Sequence, residues 1–147
     1  MLKLLVPVDG SKDTLPLINA LIAWAGRFAE APELHLINIQ PPLHGEVGLF
    51  ISREQIRDYH HDEGMKALQA ARDRLDQAKL GYHCHIGVGN TAEAIVQFAR
   101  EHQCDQIVMG SHGRGALGAL LLDSVATDVI HLAEIPVLLI RTTTEND

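Results

Sequence analysis

Cysteine is scarce in this 147-residue chain, which contains only Cys84 and Cys104. Two thiols are too few to build a disulfide framework, so a reducing, cytoplasmic setting is expected. No apolar run approaches the roughly 20 residues that a membrane-spanning helix needs, so no membrane association is predicted. The apolar start, residues 1–8, meets Pro7 and Asp9 within a few residues and is interpreted as a strand rather than a secretion signal.

Basic charge is also scarce, because 12 lysines and arginines face 19 aspartates and glutamates and give a formal net charge of -7. Without a basic stripe to displace counterions, the chain is not expected to bind nucleic acid. Hydrophobic residues make up 46% of the chain, so burial is not limiting. The length predicts one domain over residues 1–147, with a frayed polar tail at 142–147.

Short apolar runs alternate with amphipathic segments along the whole chain. The predicted strands are residues 3–8, 33–40, 81–88, 104–109 and 137–140, and the predicted helices begin near residues 13, 52, 91 and 120. Such alternation predicts an α/β fold with a doubly wound parallel sheet and helices on both faces. The loop at residues 41–52 is long enough to serve as a flap or a contact surface.

Three local patterns set the expected helix boundaries. Ser52, followed three residues later by Gln55, predicts a capping box for a long helix that reaches about residue 78. Asn90 with Glu93 predicts a second N-cap of the same spacing. Gly64 falls inside the long helix and is expected to interrupt it.

The strongest functional signal is the segment at residues 106–132. An apolar strand ends at Met109, a glycine-dense turn runs from Gly110 to Gly118, and a helix follows. The backbone N–H groups of such a turn and the positive end of the helix dipole attract phosphate, and Ser124 adds a hydroxyl. The same pattern is compatible with a plain tight turn in which Ser124 is an ordinary helical residue.

Asp9 and His112 are two further candidate ligand contacts. Asp9 ends the first strand at the carboxyl edge of the sheet, where open α/β sheets bind ligands. Its carboxylate is placed to accept from ribose hydroxyls or to hold a metal, and the alternative is a turn residue that caps Ser11 or Lys12. His112 lies within the glycine turn and is either a phosphate contact or a solvent-exposed side chain.

Two nucleotide motifs are matched only superficially. Gly113-x-Gly115-x-x-Gly118 has the letters of the dinucleotide fingerprint. That fingerprint belongs to a first strand–helix turn, with an acid roughly 20 residues later, and this turn is the fourth. The lysine of a P-loop is missing, and no nucleophile–base pair is visible, so no catalytic residue is predicted and any ATP hydrolysis is expected to be slow.

Histidines in the third strand raise the question of a metal site. His83 and His85 are expected on one face of the strand, with Cys84 opposite. A zinc site needs further ligands, and none stands at a convincing spacing. These histidines, and His60 and His61 on the long helix, are therefore interpreted as surface or structural residues.

The glycine turn and the chain ends together resemble a known family. Gly110-Ser-His-Gly113, nine residues, one further residue and Ser124, with the closing run Pro136-Val-Leu-Leu-Ile140, resemble the universal stress protein family over nearly the whole chain. The resemblance implies five parallel strands in the order 3-2-1-4-5 and a homodimer formed through the last strand, residues 136–141. It also implies an adenine nucleotide, ATP or AMP, at the carboxyl edge, with Mg2+ or Mn2+ on its phosphates.

The resemblance also carries a set of nucleotide-binding positions onto this chain. It implies Pro7 and Asp9 near the ribose, Ile39 at the adenine, and Gly110, Ser111, His112, Gly113, Arg114, Gly115, Ser124 and Val125 around the phosphates. The family's nucleotide binders have glycine before the serine, whereas this chain has Asp123. At an effective dielectric of ~20, an unpaired carboxylate ~4 Å from a phosphate charge would cost about 4 kcal/mol of binding free energy. That cost is close to a thousandfold in affinity, at ~1.4 kcal/mol per decade.

Three hypotheses follow. The first is a cytoplasmic, dimeric stress protein that binds an adenine nucleotide as a sensor or regulatory module. The second, motivated by Asp123, is a family member without nucleotide that acts through its dimer surface and the loop at 41–52. The third is a nucleotidyl-transfer or ATP-hydrolysing enzyme, for which no catalytic base is visible.

Overall fold

The computed structural model describes residues 1–43, 51–112 and 122–142, with His112 described by its backbone alone. Its elements are β1 (Lys3–Pro7), α1 (Thr14–Ala25), β2 (Glu33–Gln40), α2 (Arg53–Gln77), β3 (Tyr82–Val88), α3 (Thr91–Glu101), β4 (Gln106–His112), α4 (Ser124–Leu132) and β5 (Val137–Thr142). All strand pairs are parallel, and the order is β3-β2-β1-β4-β5. The predicted doubly wound sheet and its strand order are confirmed.

The core lies in two layers because β1 is apolar on both of its faces. Leu4 and Val6 pack with the helices α1 and α2, whereas Leu5 packs with α3 and α4 on the other side. All three side chains are fully buried. A continuous apolar run is what a central parallel strand covered by helices on both faces requires.

The strand order reverses between β1 and β4. From β1 the chain moves outward to β2 and then to the edge strand β3, and it returns to the other side of β1 for β4 and the edge strand β5. Helices that follow β1 and β4 therefore leave toward opposite faces, and a crevice opens between the ends of these two strands.

The predicted caps are confirmed. The Ser52 hydroxyl accepts from the Gln55 amide at 3.1 Å, and the Gln55 side chain accepts from the Ser52 amide at 3.0 Å. Asn90 Oδ1 accepts from the Glu93 amide at 3.1 Å. Each bond satisfies a helix N-terminal donor that has no intrahelical acceptor.

The expected interruption at Gly64 was wrong, because α2 runs continuously from residue 53 to residue 77. A Cβ atom on Gly64 would lie 2.7 Å from Ile86 Cδ1 on β3. The glycine is therefore needed for the close approach of α2 to the sheet rather than for a bend.

Two boundaries near the glycine turn differ from the prediction. β4 does not end at Met109 but continues through Gly110 to His112, because these residues pair with β5. The helix α4 begins at Ser124 rather than near residue 120, since Asp123 has extended backbone angles. The signal for a longer helix was the apolar run before Asp123, and the cap at Asp123 overrides it.

Thr142 belongs to β5 and not to a frayed tail. Its side chain is 4% exposed, and its hydroxyl donates to the Ser111 carbonyl at 3.0 Å. The remaining tail, residues 143–147, lies outside the described residues. None of the described helices is long and apolar enough to cross a bilayer.

Candidate functional site

A cavity of about 120 Å³ opens at the carboxyl edge of the sheet, beside the reversal between β1 and β4. Residues at the ends of β1, β2 and β4 and at the starts of three helices line it. Five of the predicted nucleotide-binding residues are among them, namely Pro7, Asp9, Ile39, Gly110 and Val125. The topology therefore brings together positions that are up to 118 residues apart in the sequence.

Other predicted residues lie elsewhere. Ser111 is 2% exposed and is not among the lining residues, and its carbonyl accepts from the Thr142 hydroxyl. Ser124 is exposed at the first position of α4 and is not among the lining residues. Gly113, Arg114 and Gly115 lie outside the described residues.

Asp9 has the turn-capping contact that was left open as an alternative. Its Oδ1 accepts from the Ser11 amide at 2.9 Å. Gly10 between them has φ +77°, and a Cβ atom there would lie 2.9 Å from Ala67 Cα. The turn is thus fixed both by its backbone angle and by the approach of α2, and it holds Asp9 at the cavity wall.

Two polar residues that line the cavity were missed. Thr14, the first residue of α1, is 3% exposed, and its hydroxyl has no hydrogen-bond partner within the described part of the chain. Asn38 is 5% exposed, and its amide donates to the Val8 carbonyl at 2.7 Å. A polar residue inside the apolar run of β2 was the available signal for Asn38, because buried polar groups need a partner.

Asp123 is the N-cap of α4. Its Oδ1 accepts from the Ala126 amide at 2.7 Å, and its carbonyl accepts from the Thr127 amide at 3.1 Å. The carboxylate lines the cavity while it is turned onto its own helix. It therefore occupies one amide that a bound phosphate would otherwise use, and the helix dipole offsets part of its charge.

The electrostatics of the cavity combine helix N-termini with carboxylates. Thr14 and Thr91 are the first residues of α1 and α3, and Asp123 caps α4, so three positive helix ends meet here. Asp9, Asp13 and Asp123 contribute carboxylates to the same lining. Such a site suits an anion that arrives with a divalent cation, because the cation would neutralise the acids.

Comparisons with known proteins agree with this architecture. The model of the universal stress protein family matches residues 1–141. Universal stress protein MJ0531 of Methanocaldococcus jannaschii is 32% identical over 144 residues, which cover 95% of this chain and 81% of that protein.

Solved structures give the same result. The structure of the hypothetical protein MJ0577 superimposes with a TM-score of 0.73 at 26% identity and covers 97% of each chain. A universal stress protein in complex with cAMP superimposes with a TM-score of 0.68 at 25% identity, covering 97% of this chain and 98% of that one.

Proposed function

The chain belongs to the universal stress protein family, and from that premise we propose that it binds an adenine nucleotide, ATP or AMP, in the cavity at the carboxyl edge. The observation that carries the proposal is the position of this cavity at the strand-order reversal, with five of the implied nucleotide-binding residues in its wall. The bound nucleotide would make the protein a regulatory or sensor module of a stress response in the cytoplasm. No catalytic residue is proposed.

The lining supports specific roles. Asp9 stands at the end of β1, where its second carboxylate oxygen would accept from a ribose hydroxyl. Ile39, near the end of β2, would offer its backbone and its apolar side chain to the adenine. The Thr14 hydroxyl, which has no partner among the described residues, would donate to the ligand and so gain the hydrogen bond that a buried hydroxyl needs.

Mg2+ or Mn2+ is part of the proposal because of the three carboxylates in the cavity wall. A bare triphosphate would meet Asp9, Asp13 and Asp123 with like charge. A divalent cation between the phosphates and these carboxylates would turn that repulsion into attraction, since such ions prefer oxygen ligands. We therefore expect ATP to bind more tightly with Mg2+ than with a chelator present.

Isothermal titration calorimetry with ATP and MgCl2 tests the proposal. We expect one site per chain, and an affinity about fivefold lower in Thr14→Val, which keeps the shape and removes the hydroxyl. Ser52→Ala, which removes a hydroxyl at the distant start of α2, is the control and should leave the affinity unchanged. Absence of heat at millimolar ATP would refute nucleotide binding.

A homodimer through residues 136–141 belongs to the same proposal. β5 is an edge strand, with β4 as its neighbour in the described sheet. No described strand pairs with its second edge, which would pair with the same strand of another copy. Sedimentation equilibrium should give twice the 16.1 kDa mass of the chain, and a mass of one chain at high protein concentration would argue against the dimer.

One observation favours the alternative function. Asp123 already holds the Ala126 amide, and its carboxylate stands where the family's nucleotide binders have glycine. The second candidate is therefore a dimeric protein-interaction module without nucleotide, acting through the dimer surface and the loop at 41–52. Residues 44–50 of that loop lie outside the described residues. An Asp123 variant that gains ATP binding absent from the native chain would support this alternative.

A further inference from the structure

A histidine cluster lies at the amino edge of the sheet, at the opposite end of β2 from the proposed nucleotide site. Glu33 and His35 occupy one face of β2, and parallel pairing places His83 of β3 directly beside His35. His85 follows on the same face of β3. Ile39, near the other edge, lies six positions after Glu33 along β2, which is about 20 Å of extended chain.

The polar atoms of this cluster converge. His35 Nε2 lies 2.8 Å from Glu33 Oε2, and His35 Nδ1 lies 2.8 Å from His85 Nε2. One ligand atom from each of Glu33, His35 and His83 lies within 4.8 Å of the other two. We propose that these three residues form a divalent metal site that takes Zn2+, with water as the fourth ligand.

The donor set fits zinc. Two imidazole nitrogens and one carboxylate oxygen are ligands that Zn2+ prefers, at bond lengths of about 2.1 Å. Tetrahedral ligand atoms at that bond length lie about 3.4 Å apart. The Glu33–His35 pair must open slightly, and His83, whose side chain is exposed, must move inward. Both changes can be made by rotating the partly exposed Glu33 side chain and the exposed His83 side chain, so the strands keep their positions.

His85 holds His35 in the orientation that a metal ligand needs. Without a metal, His35 Nε2–H donates to Glu33; on metal binding that proton would leave, His35 Nδ1–H would donate to His85 Nε2, and the Nε2 lone pair would bind the metal. The His85 ring is fixed in turn by Phe98 of α3, with 4.5 Å between ring centroids.

Lys3 is the competing cation at this site. Its Nζ lies 3.7 Å from Glu33 Oε2, and it also donates to the His102 carbonyl at 3.1 Å. Lys3 is therefore attracted to the Glu33 carboxylate and repels an incoming dication.

Competition between the tag-free protein and a chromophoric zinc chelator tests the proposal. We expect one Zn2+ per chain, with an affinity at least about tenfold lower in His83→Ala and in Glu33→Gln. Lys3→Gln should raise the affinity about fivefold, because it removes the repelling charge. His61→Ala, which removes an exposed histidine on α2, is the matched control and should bind like the native chain.

Co2+ in place of Zn2+ gives a second measurement. A four-coordinate site should show intense visible absorption in the native protein, and His83→Ala should lose it. Equal zinc affinity in the native, His83→Ala and His61→Ala proteins would overturn the proposal. Weak absorption of six-coordinate Co2+ in the native protein would overturn it as well. ATP affinity should be the same in His83→Ala, so failure of this proposal leaves the nucleotide proposal intact.

Discussion

The carboxyl edge and the amino edge of the sheet present different chemical groups. At the carboxyl edge, short turns and capping residues such as Asp9 and Asn90 place helix N-termini around a cavity. At the amino edge, the rings of His35, His85 and Phe98 pack side by side between β2, β3 and α3. The first arrangement offers backbone donors and space to a ligand, whereas the second offers side-chain nitrogens and little space.

The difference shows how each edge would recognise a ligand. Backbone donors at helix ends are fixed by the fold and suit an extended anion such as a phosphate chain. Imidazole and carboxylate groups are set by strand register and suit a single cation. One parallel sheet can therefore carry two sites of opposite charge preference that share no residue.

The largest predicted effect is a loss of folding stability when Gly10, in the turn at the carboxyl edge, is replaced. Gly10→Val places a β-branched side chain at φ +77° and against Ala67 of α2. The backbone strain and the overpacking together should lower the free energy of unfolding by about 3 kcal/mol. Urea denaturation measures this loss.

Gly81→Ala is the matched control for Gly10→Val, because a Cβ atom at Gly81 would meet nothing within 4 Å. Its free energy of unfolding should change by less than about 0.5 kcal/mol. Equal stability of the two variants would show that the turn after β1 is not constrained as described.

The amino edge should respond to acid. His85 has its pKa lowered to about 4 by burial first, and then by His35, His102 and His83. Between pH 6.5 and 4 the unfolded chain binds a proton at this position and the folded chain does not, so stability falls as the pH falls. Lowering the pKa from 6.5 to about 4 corresponds to at most about 3 kcal/mol, and partial solvent exposure reduces the expected loss of stability to about 2 kcal/mol.

Several titratable or charged groups surround His85 and could also contribute to the pH dependence of stability. The titratable and charged neighbours are Glu33 and His35 on β2, His83 on β3, His102 after α3, and Lys3 on β1. His85→Phe in the presence of a chelator should flatten the fall in stability between pH 6.5 and 5. An identical pH profile for the variant and the native chain would show that His85 is not the group responsible.

Substitution of Asp123 separates charge from bulk at the carboxyl edge. Asp123→Asn keeps an N-cap and removes the charge, so ATP affinity measured with a chelator in place of the divalent cation should rise about tenfold, or about 1.4 kcal/mol. The rise is smaller than that for an unpaired charge because the Ala126 amide and the helix dipole already offset the carboxylate. A gain in Asp123→Gly without one in Asp123→Asn would identify bulk, rather than charge, as the obstacle.

The smallest effect is expected at the cap of α3. Asn90→Ala removes the acceptor of the Glu93 amide and should lower the free energy of unfolding by about 1 kcal/mol. Asn90→Asp should retain the native stability, because aspartate caps equally well. A loss of equal size in both variants would contradict a capping role.

The sequence predicted features that are local. The strands, the Ser52 and Asn90 caps and the position of Asp9 follow from residues within a few positions of one another. The helix start at Asp123 was misplaced because an apolar run before it has the same period as a helix. Helix propensity is a weak guide to where a helix begins, because a single capping residue sets that boundary.

Features that depend on register could not be predicted in the same way. His35 and His83 are 48 residues apart in the chain and meet only because β2 and β3 pair in parallel at that register. The burial of the Thr14 hydroxyl, without a partner in the part of the chain that the structure describes, likewise becomes visible only when the ends of β1 and β4 are in place. The spacing of histidines along the chain therefore gives no sign of the Glu33, His35 and His83 cluster, which only the sheet assembles.

The central claim is that the cavity at the carboxyl edge holds the adenine nucleotide. An amide NMR titration of the native chain with ATP and MgCl2 tests it most directly. We predict chemical-shift changes at the amides of Asp9, Thr14, Asn38 and Gly110, and an unchanged amide signal at His83 on the amino edge. Unchanged signals at all four carboxyl-edge residues with millimolar ATP, or shifts confined to the amino edge, would contradict it.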